Sequence, residues 1–377
     1  MVEMNSIIRS LLQNDIFVKS QTLYEKDGKS AANSFDTKRS TDLLSLLKTL
    51  ELPDNAKNRH LLALLLKERI SLSKEMLKSV SQWISQNEQN SLPAAFQLIR
   101  LALERDLPIT KSVLNVLSAA LDTETTMIEQ LKIVTEVLRE VPEHTKIFND
   151  LKLIEENIET SIAKLLKNNS ENENFWNNSK EIAIAIKKLV QKIGIHHEEN
   201  EQSLRSLLTK VLQETKNGQV VKKIEPLLQR IIGLKLLNFE QEGLLQTYLW
   251  HFPLLLNDHG TDFILQWTAK KQKNGQIDPN YCRLIFFLEL EMLKELFVDC
   301  KIQNRIVNIQ IYNDSIEHST LKAFHLVLKE RLALLKYQLT DIAVLPFEKK
   351  GTPKENHKNK IMPFSQIEQK SGVDLKI

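Results

Sequence analysis

A chain of 377 residues with 42% hydrophobic and 26% charged side chains is long enough for two domains and apolar enough to bury real cores. Only nine glycines and ten prolines speak against a loop-rich β sandwich and for long helices. The net charge of +3 has one source, because residues 348–377 hold seven lysines against four acids; a generally basic nucleic-acid surface is not indicated.

No window approaches the roughly 18 apolar residues that span a bilayer, so no membrane insertion is expected. Met1 to Gln13 lacks the charged, apolar and small-residue layout of a signal peptide, being interrupted by Asn5, Arg9 and Ser10. The expected location is cytoplasmic, with export through a dedicated, flagellar-type apparatus left open.

From Thr41 to about Lys167 the apolar period is helical. Leucines 61, 62, 65 and 66 crowd one side, and Pro93 opens a helix carrying Ala95, Leu98, Ile99 and Ala102. Thr110 is the expected N-cap of a helix with Val113, Leu114, Leu117 and Leu121. Two more helices follow, Glu124 to Glu140 and Thr145 to Lys167, split by Pro142. Residues 168–179 are Asn-rich and polar and read as a linker. Helical patterning returns at Lys180 to Ile193, Ser203 to Thr215 and Val220 to Leu237, where Pro226 is expected to kink or restart the helix.

Past Gly243 the period becomes two. Phe252 to Leu256 is a short apolar run, and Phe263, Leu265 and Trp267 alternate with Ile264, Gln266 and Thr268. Asn257 to Gly260 and Asn274-Gly275 are turn signals. Three further strands are predicted on Cys282 to Leu290, Val298 to Ile302 and Val307 to Ile311. A helix follows with Leu321, Phe324, Leu328, Leu332 and Leu335 as its stripe, then a closing strand from Thr340 to Phe347. These elements predict an antiparallel sheet with one helix laid across it.

The search for chemistry finds no phosphate-cradling glycine loop, nucleophile elbow or HExxH, and neither a cofactor nor a small-molecule substrate is expected. His196-His197-Glu198-Glu199 reads as a solvated linker, since adjacent side chains cannot all turn to one ion. Glu289 and Glu291 read as the polar side of a half-exposed strand. Cys282 and Cys300 read as free thiols among apolar neighbours. The lysines of the tail (349, 350, 354, 358 and 360) read as a solubilising extension. The chain is expected not to be an enzyme.

Within Cys282 to Phe347, the stretch Leu288 to Asp299, then Arg305 to Ile311, then the helix from Leu321 to Lys336 with Tyr337 to Thr340, resembles the C-terminal domain of flagellar hook-length control proteins. That family shows a hairpin, a strand and a leucine-bearing helix with an arginine near its end. Its usual Pro-Glu-x-Leu-Gly is replaced here by Glu291-Met-Leu-Lys-Glu295. The run Asp106 to Thr110 leading into a helix is similar to Gram-positive, Bacillus-type members. The resemblance implies a non-catalytic protein that contacts the cytoplasmic domain of an export-gate component and changes which substrates are secreted. It places the contact on a sheet edge between Val298 and Ile311, including Ile309, and on Arg331, Leu334, Leu335 and Gln338. Leu335, Val307 and Ile309 also carry the simpler reading of core residues, whereas Arg331, Leu334 and Gln338 lie off the helix stripe.

The expected class is therefore α+β, a mainly helical N-terminal region followed by a small antiparallel-sheet-plus-helix domain. Its parts are a poorly ordered segment 1–40, a helical region 41–167, a polar linker with one helix 168–202, an α+β domain 203–348 with its core at 282–347, and a basic tail 349–377. A cytosolic helical adaptor unconnected to secretion is the alternative function.

Overall fold

The computed structural model describes residues 43–67, 70, 73–87, 92–122, 124–170, 179–195, 200–238, 244–256, 259–272, 274–316 and 318–347. The predicted poorly ordered segment 1–40, the 196–199 cluster and the basic tail lie outside the described residues. The class is α+β, with helices leading and a six-stranded sheet in the C-terminal part. Contacts divide the chain into two compact units, Met1–Asn115 and Val116–Ile377. The division therefore falls inside a helix and not at the Asn-rich stretch, of which 171–178 lie outside the described residues.

The first unit consists of α1 (43–49), α2 (Ala56–Lys67), α3 (Lys74–Gln86), α4 (Leu92–Glu104) and the start of α5 (Lys111–Ala120). The leucines at 61, 62, 65 and 66 are buried, so the crowding visible in sequence is a core face. Ser73 caps α3 by accepting from Met76 N, and Thr110 caps α5 by accepting from Val113 N. Trp83 is 1% exposed, and its indole N–H donates to Asn115 Oδ1 at 2.7 Å.

The second unit opens with the end of α5 and continues through α6 (Met127–Arg139), α7 (Thr145–Ser170), α8 (Ser179–Ile193), α9 (Leu204–Glu214) and α10 (Gly218–Leu237). A capping box between Thr126 and Glu129 starts α6. Pro226 does not break α10; Ile224, Leu227, Leu228, Ile231 and Leu234 form one buried face that carries both halves past the missing backbone donor. Gly233 sits where α10 crosses α5: a Cβ there would lie 1.9 Å from the Val116 carbonyl oxygen.

The sheet runs β1 (Leu245–Leu256), β2 (His259–Lys271), β3 (Ile277–Leu290), β4 (Lys294–Gln303), β5 (Ile306–Tyr312), then α11 (His318–Leu334) and β6 (Gln338–Leu345), in that spatial order. All neighbours are antiparallel except β5 and β6, which α11 joins as a parallel pair. Asn274-Gly275 forms the predicted turn, with Gly275 at φ +79°. Two other turns use non-glycine residues in the left-handed region: Asn304-Arg305 between β4 and β5, and Lys294 between β3 and β4.

Register sorts the sheet into two faces. One carries Trp250, Leu265, Phe286, Val298, Ile311 and Val344 in a row of paired residues, apolar across all six strands. The other receives α6 and α10: Asp262 of β2 meets both, and Gly260 approaches Ile128. His251 lies on the same face, fully buried.

Candidate interaction surface

α11 leaves β5 and returns to β6, with Leu328 and Leu332 packed on the core formed by Val298, Val307, Ile309 and Leu339. It ends in a left-handed residue, Lys336, while Tyr337 N reaches back to Leu332 O at 2.8 Å. This ending lets Gln338 enter β6, where its N–H donates to Arg305 O at 2.8 Å.

The residues assigned to partner contact divide in two. Val298 and Ile309 are 5% and 9% exposed within that core, so they cannot form a contact surface. Nor is their neighbourhood a sheet edge, because β4 and β5 are each flanked on both sides; the outer strand here is β6. Both expectations are corrected by burial. Leu334 and Leu335 are 74% and 61% exposed and Gln338 is exposed, while Arg331 is half-buried beside them. The core reading of Leu335 is therefore overturned, whereas Val307 is a core residue.

The predicted stripe of α11 also needs rotation. Leu321, Leu328 and Leu332 are half-buried, but Phe324 is 64% exposed, and Val327 joins it outside. Inward positions follow 321, 325, 328 and 332, which put the half-buried His325 on the packed side. A strict 3.6-residue count finds this set; choosing apolar residues alone hides it.

Among the described residues there is no group of three or more His, Cys, Asp or Glu side chains that could hold a metal ion. Burial pushes both thiols up, Cys300 to about 12, so neither is poised as a thiolate. Glu289 is exposed. Arg283 grips Asp299 in a two-pronged pair at 2.8 and 2.7 Å across β3 and β4, which ties strands together. No described helix is long and apolar enough to cross a membrane.

No family model matches the chain, and no solved structure matches it. The chain is similar to the uncharacterized protein YlqG of Bacillus subtilis (strain 168), at 32% identity over 91 residues. That stretch is 24% of this chain and spans only 16% of the length of YlqG.

Proposed function

We propose that the chain is a non-catalytic protein-recognition protein whose C-terminal module acts as in flagellar hook-length control proteins, contacting the cytoplasmic domain of an export-gate component to change export specificity. The hairpin β3–β4, strand β5, helix α11 and strand β6 occur in the order that the resemblance implies. The observation that carries the reading is this order of elements, with α11 packed through Leu328 and Leu332 on the core of β4, β5 and β6. The exposed group at Leu334, Leu335 and Gln338, with Arg331 beside it, supplies a contact surface that costs the core nothing.

The test uses the full chain as bait in a lysate of its own organism. Recovery of a flagellar-type export-gate component, lost when Arg331→Glu, Leu334→Ser and Gln338→Ala are combined in a folded variant, is the expected result. Recovery of no export component overturns the reading and leaves the cytosolic adaptor.

A further inference from the structure

The two edges of the sheet are built differently. β1, at one edge, is closed by Asn238 at the end of α10, whose amide stands in for a neighbouring strand. Its Oδ1 accepts from Leu249 N at 2.9 Å, and its Nδ2 donates to Leu249 O at 2.6 Å. Pro253 removes a further backbone donor from that edge, and α7 and α10 pack against the strand. β6, at the other edge, has neither proline nor lysine along Gln338–Leu345. The hydrogen bonds at its two ends run to the β5 side: Gln338 N donates to Arg305 O, and Leu345 O accepts from Asn313 N. Among the described residues no group bonds to the outer side of β6. A row of backbone donors and acceptors of this kind is matched by one more extended segment.

The side chains of β6 set which segment fits. Ile342 and Val344 stand opposite Ile309 and Ile311 on the face that α11 covers, and Ile342 is still half-buried there. Asp341 lies opposite Asn308 on the other face and is exposed. A complementary strand therefore alternates, with apolar residues against Ile342 and Val344 and a cation against Asp341. Residues 348–377 follow β6 in sequence and lie outside the described residues. Within them Val373, Leu375 and Ile377 alternate with Asp374 and Lys376, which is that pattern. The other apolar run there, Ile361 to Phe364, does not alternate and contains Pro363, which has no N–H for a ladder.

We infer that Gly372 to Ile377 dock on the outer edge of β6 as a seventh strand, antiparallel to it, with Lys376 opposite Asp341. In that register Leu375 falls opposite Ile342 and Val373 opposite Val344, on the face covered by α11. A slip of one residue would set Lys376 against Ile342 on that face, and a slip of two can set Asp374 against Asp341. The chain leaves β6 at the end where an antiparallel strand begins, and residues 346–371 need only cross one strand spacing of about 4.8 Å. Such a tether gives the segment an effective concentration on the order of millimolar, which favours it over the edge of a second copy. The docked segment closes the remaining edge of the sheet to other strands, and this does not depend on the export-gate reading.

The experiment is amide hydrogen exchange read by NMR on the purified full chain at pH 7. Residues 373–377 are expected to exchange at least tenfold more slowly than an unstructured peptide of the same sequence. Deleting 372–377 should speed exchange of the outward amides of β6 at least tenfold, with circular dichroism unchanged. Leu375→Asp should abolish the protection of 373–377. Asp341→Lys should lower it about threefold, and adding Lys376→Asp should restore it. Exchange of 373–377 at the rate of the free peptide, protection indifferent to Leu375→Asp, or no rescue in the charge-swapped pair overturns the inference. Protection that rises with protein concentration alongside dimers in light scattering also overturns it, in favour of strand exchange with a second copy.

Discussion

Arg230 and Asp262 form a buried ion pair between α10 and β2, 0% and 9% exposed, in which the guanidinium donates to Asp262 Oδ2 at 2.5 Å. The carboxylate also accepts from Met127 N at 3.1 Å and so caps α6 from the sheet side. A second guanidinium nitrogen donates to Thr125 O at 2.7 Å. Burial pushes the Asp262 carboxyl up, against the pull of Arg230 and the Met127 N–H. One pair thus joins a helix start, a helix interior and a strand. Asp262→Ala leaves a guanidinium buried without its anion and is expected to cost about 3–5 kcal/mol in urea unfolding. Adding Arg230→Met should recover part of that loss; strict additivity in the double-mutant cycle would show that the two do not act as a unit.

His251 stands on the same face of the sheet, fully buried, and burial together with the nearby Arg230 charge holds its imidazole well below the ordinary range. The sign follows from linkage: the unfolded chain takes up a proton near pH 6.5 and the folded chain does not, so stability is present above that pH and is lost as pH falls. Between pH 7.5 and 5.5 the loss from this group alone should be about 1.4 kcal/mol. The raised Asp262 carboxyl works in the opposite direction at lower pH, so the comparison to make is wild type against His251→Phe. The variant should show a flatter stability profile in urea titrations at the two pH values; parallel profiles would mean that His251 is charged or hydrated in the fold.

Gly233→Ala sets two effects against each other. Alanine favours a helix interior over glycine by about 1 kcal/mol. Here, though, its Cβ would sit 1.9 Å from the Val116 carbonyl oxygen and 2.8 Å from Ala120 Cβ, and backbone cannot give way as a flexible side chain can. The overpacking cost should win, with a net destabilisation of about 1–3 kcal/mol by thermal or urea unfolding. A stabilised variant would mean that the crossing of α5 and α10 is looser than this.

How much of this was legible depended on range. Thr110 capping α5 and Asn274-Gly275 turning β2 into β3 are local, and both are read correctly from their residue types. β1 is longer than predicted, starting at Leu245, because Gln246 and His251 look like loop residues yet are buried within the strand. The turns at Lys294, Asn304-Arg305 and Lys336 lack glycine, so their left-handed backbone leaves no compositional mark. Arg230 and Asp262 are 32 residues apart, and no local period links them. In the candidate surface, the exposure of Leu334 and Gln338 was legible because they fall off the helical stripe. Val298 and Ile309 were misplaced because an alternating strand does not reveal which neighbours cover its apolar side.

Lys294→Gly tests the backbone of the turn that joins β3 to β4. A lysine at φ +56° carries left-handed strain of about 1–2 kcal/mol, whereas glycine does not. Glycine also gives the unfolded chain more freedom, which takes back about 0.4–1 kcal/mol. The net expectation is a gain of about 0.5–1 kcal/mol in urea unfolding. A destabilised Lys294→Gly variant would mean that the turn is not held in the left-handed conformation.

Ile309→Ala and Leu334→Ser separate core from surface within one module. Ile309 is 9% exposed beside Val298, Val307 and Leu339, and its truncation should cost about 2–4 kcal/mol through lost burial and an unfilled cavity. Leu334 is 74% exposed, and removing its side chain should change stability by no more than about 0.5 kcal/mol. Partner capture should behave in the reverse way: lost in Leu334→Ser at full stability, and retained by whatever fraction of Ile309→Ala stays folded. Should capture instead track the folded fraction in both variants, recognition would lie elsewhere on the chain, and the outer side of α11 would be an apolar surface without this role.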